Sequence, residues 1–344
     1  MHNDWKLFLE SHSASVADDG WVSFAQRHPT TESALCDLSY LGLIRIAGGD
    51  SVDFLQGQFT NDVSALTAQQ YQFNACCNPK GHMLANGWLF YRSDDEMLFQ
   101  LPGSTLPALL KRLSMFVFRS AVKLVDASDE LVRIGLAGSH AREQLGNILP
   151  DLPTAPQQVT QAGDLTIIQP PGTTPRFEII GPAPSVKKVW EALATAATPT
   201  DSRFWALQDI RAGIPAIYPA TVEAFIPQMV NMQLLNGISF SKGCYCGQEV
   251  VARTQHRGTL KRRMYLAHIN GNRQPSAGDE LFSHSAAHGK PAGRVVDAQP
   301  APEGGFDALV MVQIPCFEAD DIHLKDASGE KLVFRALPYA FATD

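Results

Sequence analysis

The sequence predicts an α+β protein, with a duplicated core of mixed strands and helices followed by a small β-barrel. A strand, a glycine turn and a helix occur in that order twice, and after Gly258 the chain turns to short β-type runs. The composition admits this class: of 344 residues, 45% are hydrophobic and 18% charged, which excludes disorder and fibrous structure. So long a chain exceeds what one core usually holds, so two or three compact units are expected.

Residues 1–34 are polar with scattered aromatics and are expected to form an N-terminal helical tether. Leu43-Ile44-Arg45-Ile46 alternates as a half-buried strand does, Gly48-Gly49-Asp50 turns the chain, and Val52, Phe54 and Leu55 mark a helix. Strands at 88–91 and 97–101 and a helix at 106–115 complete the first half, roughly 35–130. The second half, 131–257, repeats the order: a strand at 132–136, a turn at Gly138-Ser139-His140 and a helix at 141–149. Strands at 165–169 and 177–180 and a helix at 185–194 follow. From 258 to 344, runs at 264–269, 293–296, 309–314 and 332–337 lie between Gly, Pro, Asn and Asp turns, as in a small barrel.

With 28 basic and 35 acidic side chains the net charge is −7, and the pI is near 5.8. That excludes a broad nucleic-acid-binding face, though not a local basic patch. No run of 18 apolar residues occurs, so no membrane span and no membrane partner are expected. The first ten residues hold one base, Lys6, and lack the apolar stretch of a signal peptide, so a cytoplasmic location is expected. The six cysteines, among them adjacent Cys76 and Cys77, form no disulfide framework, and their closest spacings, C-C and C-x-C, do not suit zinc. Reduced thiols and no bound metal are expected.

The most informative segment is Phe240-Ser241-Lys242-Gly243-Cys244-Tyr245-Cys246-Gly247-Gln248-Glu249. Gly243 and Gly247 bracket a turn, and from Gln248 the chain reads as a short helix. Cys244 therefore falls just before a helix N-terminus with Lys242 beside it, a setting that favours a thiolate nucleophile or soft-metal ligand. The alternative is a small, inert, buried thiol.

Lys-Gly-Cys-Tyr-x-Gly-Gln-Glu at 242–249 resembles the signature of the YgfZ family of folate-binding proteins, paralogues of the glycine cleavage T-protein, an aminomethyltransferase. Phe54-Leu55-Gln56-Gly57-Gln58 with Thr60-Asn61-Asp62-Val63, Asn78-Pro79-Lys80-Gly81, Trp205 to Pro215 and Phe225-Ile226-Pro227-Gln228 resemble other parts of that family. The likeness runs from about Leu38 to Tyr339, and Cys246 falls where the signature is variable. It implies a T-protein-like fold of two intertwined α+β halves around a central folate pocket, plus a C-terminal barrel. It also implies tetrahydrofolate as cofactor and a supporting role toward iron–sulfur enzymes, including the radical enzymes that methylthiolate tRNA, as transient partners. Cys244 and Lys242 become the candidate working pair, and Gly243, Gly247, Gln248 and Glu249 the motif that frames them.

The departures from the T-protein weigh as much. Its Gly-Gly-Ile-x-Asp-Asp segment is matched by Gly81-His82-Met83-Leu84-Ala85-Asn86, so Ala85 and Asn86 replace both carboxylates. Without them the acid–base assistance to aminomethyl transfer is missing. The Gly-Tyr-Thr-Gly-Glu segment that addresses the pterin is likewise replaced around Gly172 to Arg176.

A folate pocket needs a flat apolar wall, amide groups and a basic mouth. Trp205 is either core or a stacking surface; Gln228 and Asn231 either read pterin edges or cap loops; Tyr245 stands in the signature. Arg253 opens a basic run with His256, Arg257, Lys261, Arg262 and Arg263, which is either a solvated turn or an attractor for the glutamate tail. The favoured function is a folate-binding accessory protein with Cys244 as functional thiol. The alternatives are a folate-dependent one-carbon transferase, for which His82, Asp62 and Asn86 are the nearest groups, and a non-catalytic partner-binding scaffold. The acidic balance argues for an effect on tRNA through the modifying enzymes rather than by direct contact.

Overall fold

The computed structural model describes residues 1–341 other than 26–28, 30, 31, 259 and 287–289. The chain forms two compact units. The first comprises Met1–Leu55, Val63–Gln72 and Gly87–Trp205, the second Gln56–Asp62, Phe73–Asn86 and Ala206–Asp344. This division cuts across the expected boundaries at 130/131 and 257/258.

The first unit holds a six-stranded sheet in the order Val159–Ala162, Leu165–Ile168, Arg176–Gly181, Val132–Gly138, Ser33–Asp37 and Thr198–Thr200. Its pairs are antiparallel except the last, where Thr200 pairs with Cys36 in parallel. Helix Ala183–Leu193 turns Val186, Val189, Trp190 and Leu193 onto a core that includes Leu35, Leu136 and Phe177. The expected N-terminal tether is corrected here. Helix Asn3–Ser11 buries Trp5 and Leu9 in that same core, and the Trp5 indole donates to Asp37 at 2.7 Å. Trp5 and Leu9 lie one helical turn apart on the same face, a stripe too short to stand out in a polar segment, yet one is a tryptophan whose N–H finds a buried carboxylate.

A five-stranded sheet follows the order Tyr71–Cys77, Met83–Ser93, Glu96–Pro102, Leu41–Ala47 and Lys123–Asp126. Its first two strands carry the chain from one unit into the other. The expected strand at 43–46 and those at 88–91 and 97–101 all lie here, lengthened by ladder bonds.

In the second unit a curled six-stranded sheet runs His323–Leu324, Glu280–Phe282, Gly293–Pro300, Phe306–Gln313, Arg262–Ile269 and Leu332–Arg335. Tyr265, Ala267, Val295, Val310 and Val312 form its core. A bulge between Val295 and Asp297 shifts the register. Among the described residues no helix is long and apolar enough to cross a membrane.

Candidate functional site

Three segments far apart in sequence meet around the signature in the second unit. Lys242 donates from its ammonium to the carbonyls of Phe59 (2.9 Å) and Asn61 (2.6 Å), and the Cys246 N–H donates to the carbonyl of Gly57 (3.2 Å). The third segment, Asn78–Gly81, is a tight turn closed by Asn78, whose Oδ1 accepts from the N–H groups of Lys80 (2.9 Å) and His82 (3.0 Å). Gly247 lies against it with φ +87°, and a Cβ there would come 2.5 Å from the Asn78 carbonyl oxygen. Only a glycine fits such a conformation and approach without strain.

Each predicted site residue has a distinct setting. Cys244 is exposed. It lines an open depression of about 480 Å³ with Pro79, Tyr245, Cys246, Gly247, Gln248, Glu249 and Ala252. Lys242 is half-buried, and burial lowers its pKa to about 8 against the attraction of Asp62. Its bonds make it the fastener of the loop. Tyr245 is buried, with the Lys242 ammonium 5.2 Å from its ring centroid, and burial pushes its hydroxyl pKa up. The side chain of Gln248 reaches back to the Gly243 carbonyl at 3.4 Å, and Glu249 is exposed in the first turn of helix Gln248–Arg257, where an anion suits the dipole. Gly243 faces open space.

Cys77 is buried beside Cys76, and burial pushes its thiol pKa well up. After burial, the neighbouring Cys76 raises it further, and Cys246 less so. No disulfide joins any of the six cysteines, all of which lie among the described residues.

Trp205 belongs to the first unit and is 1% exposed. The Arg176 guanidinium sits 5.2 Å from its ring centroid, and Gly135 packs so close that a Cβ would reach the indole at 2.4 Å. The indole is a core group, and the expected stacking role is corrected: its surface is already taken. Asn231, at φ +60°, joins the 3₁₀ turns Pro227–Val230 and Met232–Leu235, and its amide donates to the Met264 carbonyl at 2.8 Å and the Tyr339 hydroxyl at 3.3 Å. The Gln228 amide donates to the Val251 carbonyl at 2.6 Å. Gln228 Oε1 and Asn231 Oδ1 are both buried with no hydrogen-bond partner. A buried acceptor left so is costly and marks a place where a donor is wanted.

Gln228 lines a cleft of about 990 Å³ with Gln233, Thr254, Gln255, Lys261, Arg263, Gln313, Pro315, Glu318 and Phe341 among its walls. Helix Gln248–Arg257 borders both hollows, offering Gln248, Glu249 and Ala252 to the thiol depression and Thr254 and Gln255 to the cleft. Of the basic run, Lys261 and Arg263 reach the cleft and Arg253 is exposed on the helix; the side chains of His256 and Arg257 lie outside the described residues. Sequence reasoning missed Gln233, Gln313 and Phe341, which no motif marks.

Asn86 is 1% exposed, donating to the Pro215 carbonyl at 2.7 Å and accepting from the Ile217 N–H at 2.9 Å. It is a clamp on the backbone. One group of metal-capable side chains occurs among the described residues, His268, Glu303 and Asp307. Arg211 and Arg335 already pair with both carboxylates, which makes it an ion-pair knot.

Residues 21–211 match the family model described as the GCVT N-terminal domain. Over 325 residues the chain is 35% identical to the tRNA-modifying protein YgfZ of Yersinia pestis strain Pestoides F, covering 93% of this chain and 98% of that one. The chain belongs to the YgfZ family. The YgfZ of Yersinia enterocolitica is 34% identical over 310 residues, 90% of this chain and 93% of that one. Among solved structures, the glycine cleavage system aminomethyltransferase T of Bartonella henselae matches with a TM-score of 0.74 at 17% identity, over 96% of each chain. This YgfZ-family chain therefore has the T-protein-like fold that its signature implied.

Proposed function

We propose that this chain is a tetrahydrofolate-binding accessory protein of tRNA modification, with Cys244 as its working thiol, acting in support of iron–sulfur enzymes. The observation that carries the reading is an exposed thiol on a loop fastened by Lys242, by the Cys246 N–H and by the close packing of Gly247. Loops that hold one reactive group in water at such structural expense are usually functional. The curated relatives carry the name tRNA-modifying protein, which supports the pathway.

The cleft's chemistry fits tetrahydrofolate. Gln228 brings a buried amide oxygen that lacks a donor, which the N–H groups of a pterin would supply. Lys261 and Arg263 bring cations suited to the glutamate carboxylates, and Phe341, Ile314 and Pro315 an apolar wall. When bound, tetrahydrofolate supplies a carrier for one-carbon units. Lys242 serves as a positioning residue, holding the loop so that Cys244 stays in water. Arg253 is exposed on helix Gln248–Arg257 and does not line the cleft.

An aminomethyl transferase is the weaker reading. At 85–86 stand a methyl group and an amide committed to the backbone, so no acid or base is available there.

The test is complementation. In a strain lacking the protein, wild type should restore methylthiolated nucleosides in tRNA, measured by mass spectrometry, and Cys244→Ala should not. Full restoration by Cys244→Ala at equal protein level removes the thiol role.

A further inference from the structure

Helix Leu106–Ser114 turns Leu106, Leu109 and Leu113 inward, and the chain beyond it breaks the usual rule for apolar side chains. Met115 is 56% exposed, Phe116 39% and Phe118 87%. Phe118 also has φ +40°, a left-handed conformation that a bulky residue adopts at a cost. A strained backbone that holds a phenyl ring in water stabilises nothing in the isolated chain.

The charge along this stretch of the chain is one-sided. From Lys111 to Lys123 the sequence carries Lys111, Arg112, Arg119 and Lys123 and no acid, in a chain of net charge −7. The Arg112 guanidinium lies 5.2 Å from the Phe116 ring centroid. Phe116, Phe118, Arg119 and Ser120 line an open depression of about 720 Å³ with Asp50, whose carboxylate accepts the Ala121 N–H at 2.7 Å.

We propose that this tip is a contact surface for single-stranded RNA, with the rings of Phe116 and Phe118 stacking on unpaired bases and the flanking cations taking phosphates. Aromatic faces interleaved with cations are what such a platform needs, since every base has a π-face and every link a charge. A membrane surface would need the apolar stripe of a whole helix, and this helix buries its stripe. The choice of RNA over DNA rests on the proposed role in tRNA modification. The local patch thus allows the direct contact that the net charge argued against.

The experiment is fluorescence polarisation with a labelled RNA stem-loop, a blunt RNA duplex of equal length and phosphatidylglycerol vesicles as probes. The stem-loop should bind with a Kd in roughly the micromolar range and weaken as salt rises. Phe118→Ala should raise that Kd about tenfold, Phe118→Trp should not, and Arg119→Glu should weaken binding and flatten its salt dependence. The duplex should bind more weakly than the loop. Equal binding by wild type and Phe118→Ala, no binding of the stem-loop at low salt, or vesicle binding in its place overturns the proposal. Tetrahydrofolate titrations of the same variants should match wild type. A wild-type protein that ignores folate yet loses RNA with Phe118→Ala would sink the folate reading and leave this one standing.

Discussion

A methyl group on Gly247 would lie 2.5 Å from the carbonyl oxygen of Asn78 and 2.9 Å from the Cα of Gly81, at a φ of +87°. A methyl group on Gly243 would meet nothing within 4 Å. The two glycines look alike in the sequence and do different work, one conformational and one merely small. Gly247→Ala should therefore cost on the order of 1–3 kcal/mol in thermal or denaturant melts. Gly243→Ala should melt within about 0.5 kcal/mol of wild type. Equal melting of the two would show that the close packing of Gly247 against the Asn78–Gly81 turn is not real. The same contrast separates readable from unreadable site residues. Lys242, Cys244 and Gly247 were marked by a motif, but the carbonyls of Gly57, Phe59 and Asn61 that receive the loop are backbone groups, and no residue type announces them. Trp205 misled because an indole on an apolar helix face reads the same whether it meets a ligand or Gly135 and Arg176.

At the scale of elements, the long periodic segments were legible and the short ones were not. Helix Leu106–Ser114 and strands Val132–Gly138, Phe306–Gln313 and Arg262–Ile269 fall close to their expected places, because repeated burial on one face leaves a period in the sequence. Strand Tyr71–Cys77 escaped notice: nearly all its residues are buried, so it has no alternation to read. The 3₁₀ turns Pro227–Val230 and Met232–Leu235 are too short for a period, and Asn231 at φ +60° between them is set by tertiary contacts. Beyond helix Leu106–Ser114 the turn at Phe118 carries the reverse signal, an apolar residue that gains nothing by burial. Phe118→Asn should raise stability by about 1 kcal/mol, since asparagine tolerates positive φ and little packing is lost. Chemical denaturation reads this, and a loss of stability would mean that the ring packs on something.

For the molecule as a whole, buried carboxyls shape the response to pH: burial raises the pKa of Asp37 as well as that of Asp297, and Asp297 is shifted to where the effect can be read. Asp297 follows the bulge in the curled sheet, accepts from the Ala298 N–H at 2.7 Å and the Tyr218 hydroxyl at 3.2 Å, and burial raises its pKa from 3.8 to about 7. Between those values the folded state keeps a proton that the unfolded state has lost. Stability from this group therefore falls as pH rises through that window, and the cost is fully present above it. Asp297→Asn should remove that slope and leave the variant more stable than wild type at about pH 8, read as the difference between the two unfolding curves. A steeper fall in the variant would contradict the assignment. The central claim is that a cleft in the second unit takes tetrahydrofolate while the thiol acts separately, and isothermal titration with tetrahydrofolate tests it most directly. Wild type and Cys244→Ala should bind with equal affinity, and Lys261→Ala should bind about tenfold more weakly through loss of a carboxylate partner. Absence of binding by wild type, or unchanged binding by Lys261→Ala, would contradict it.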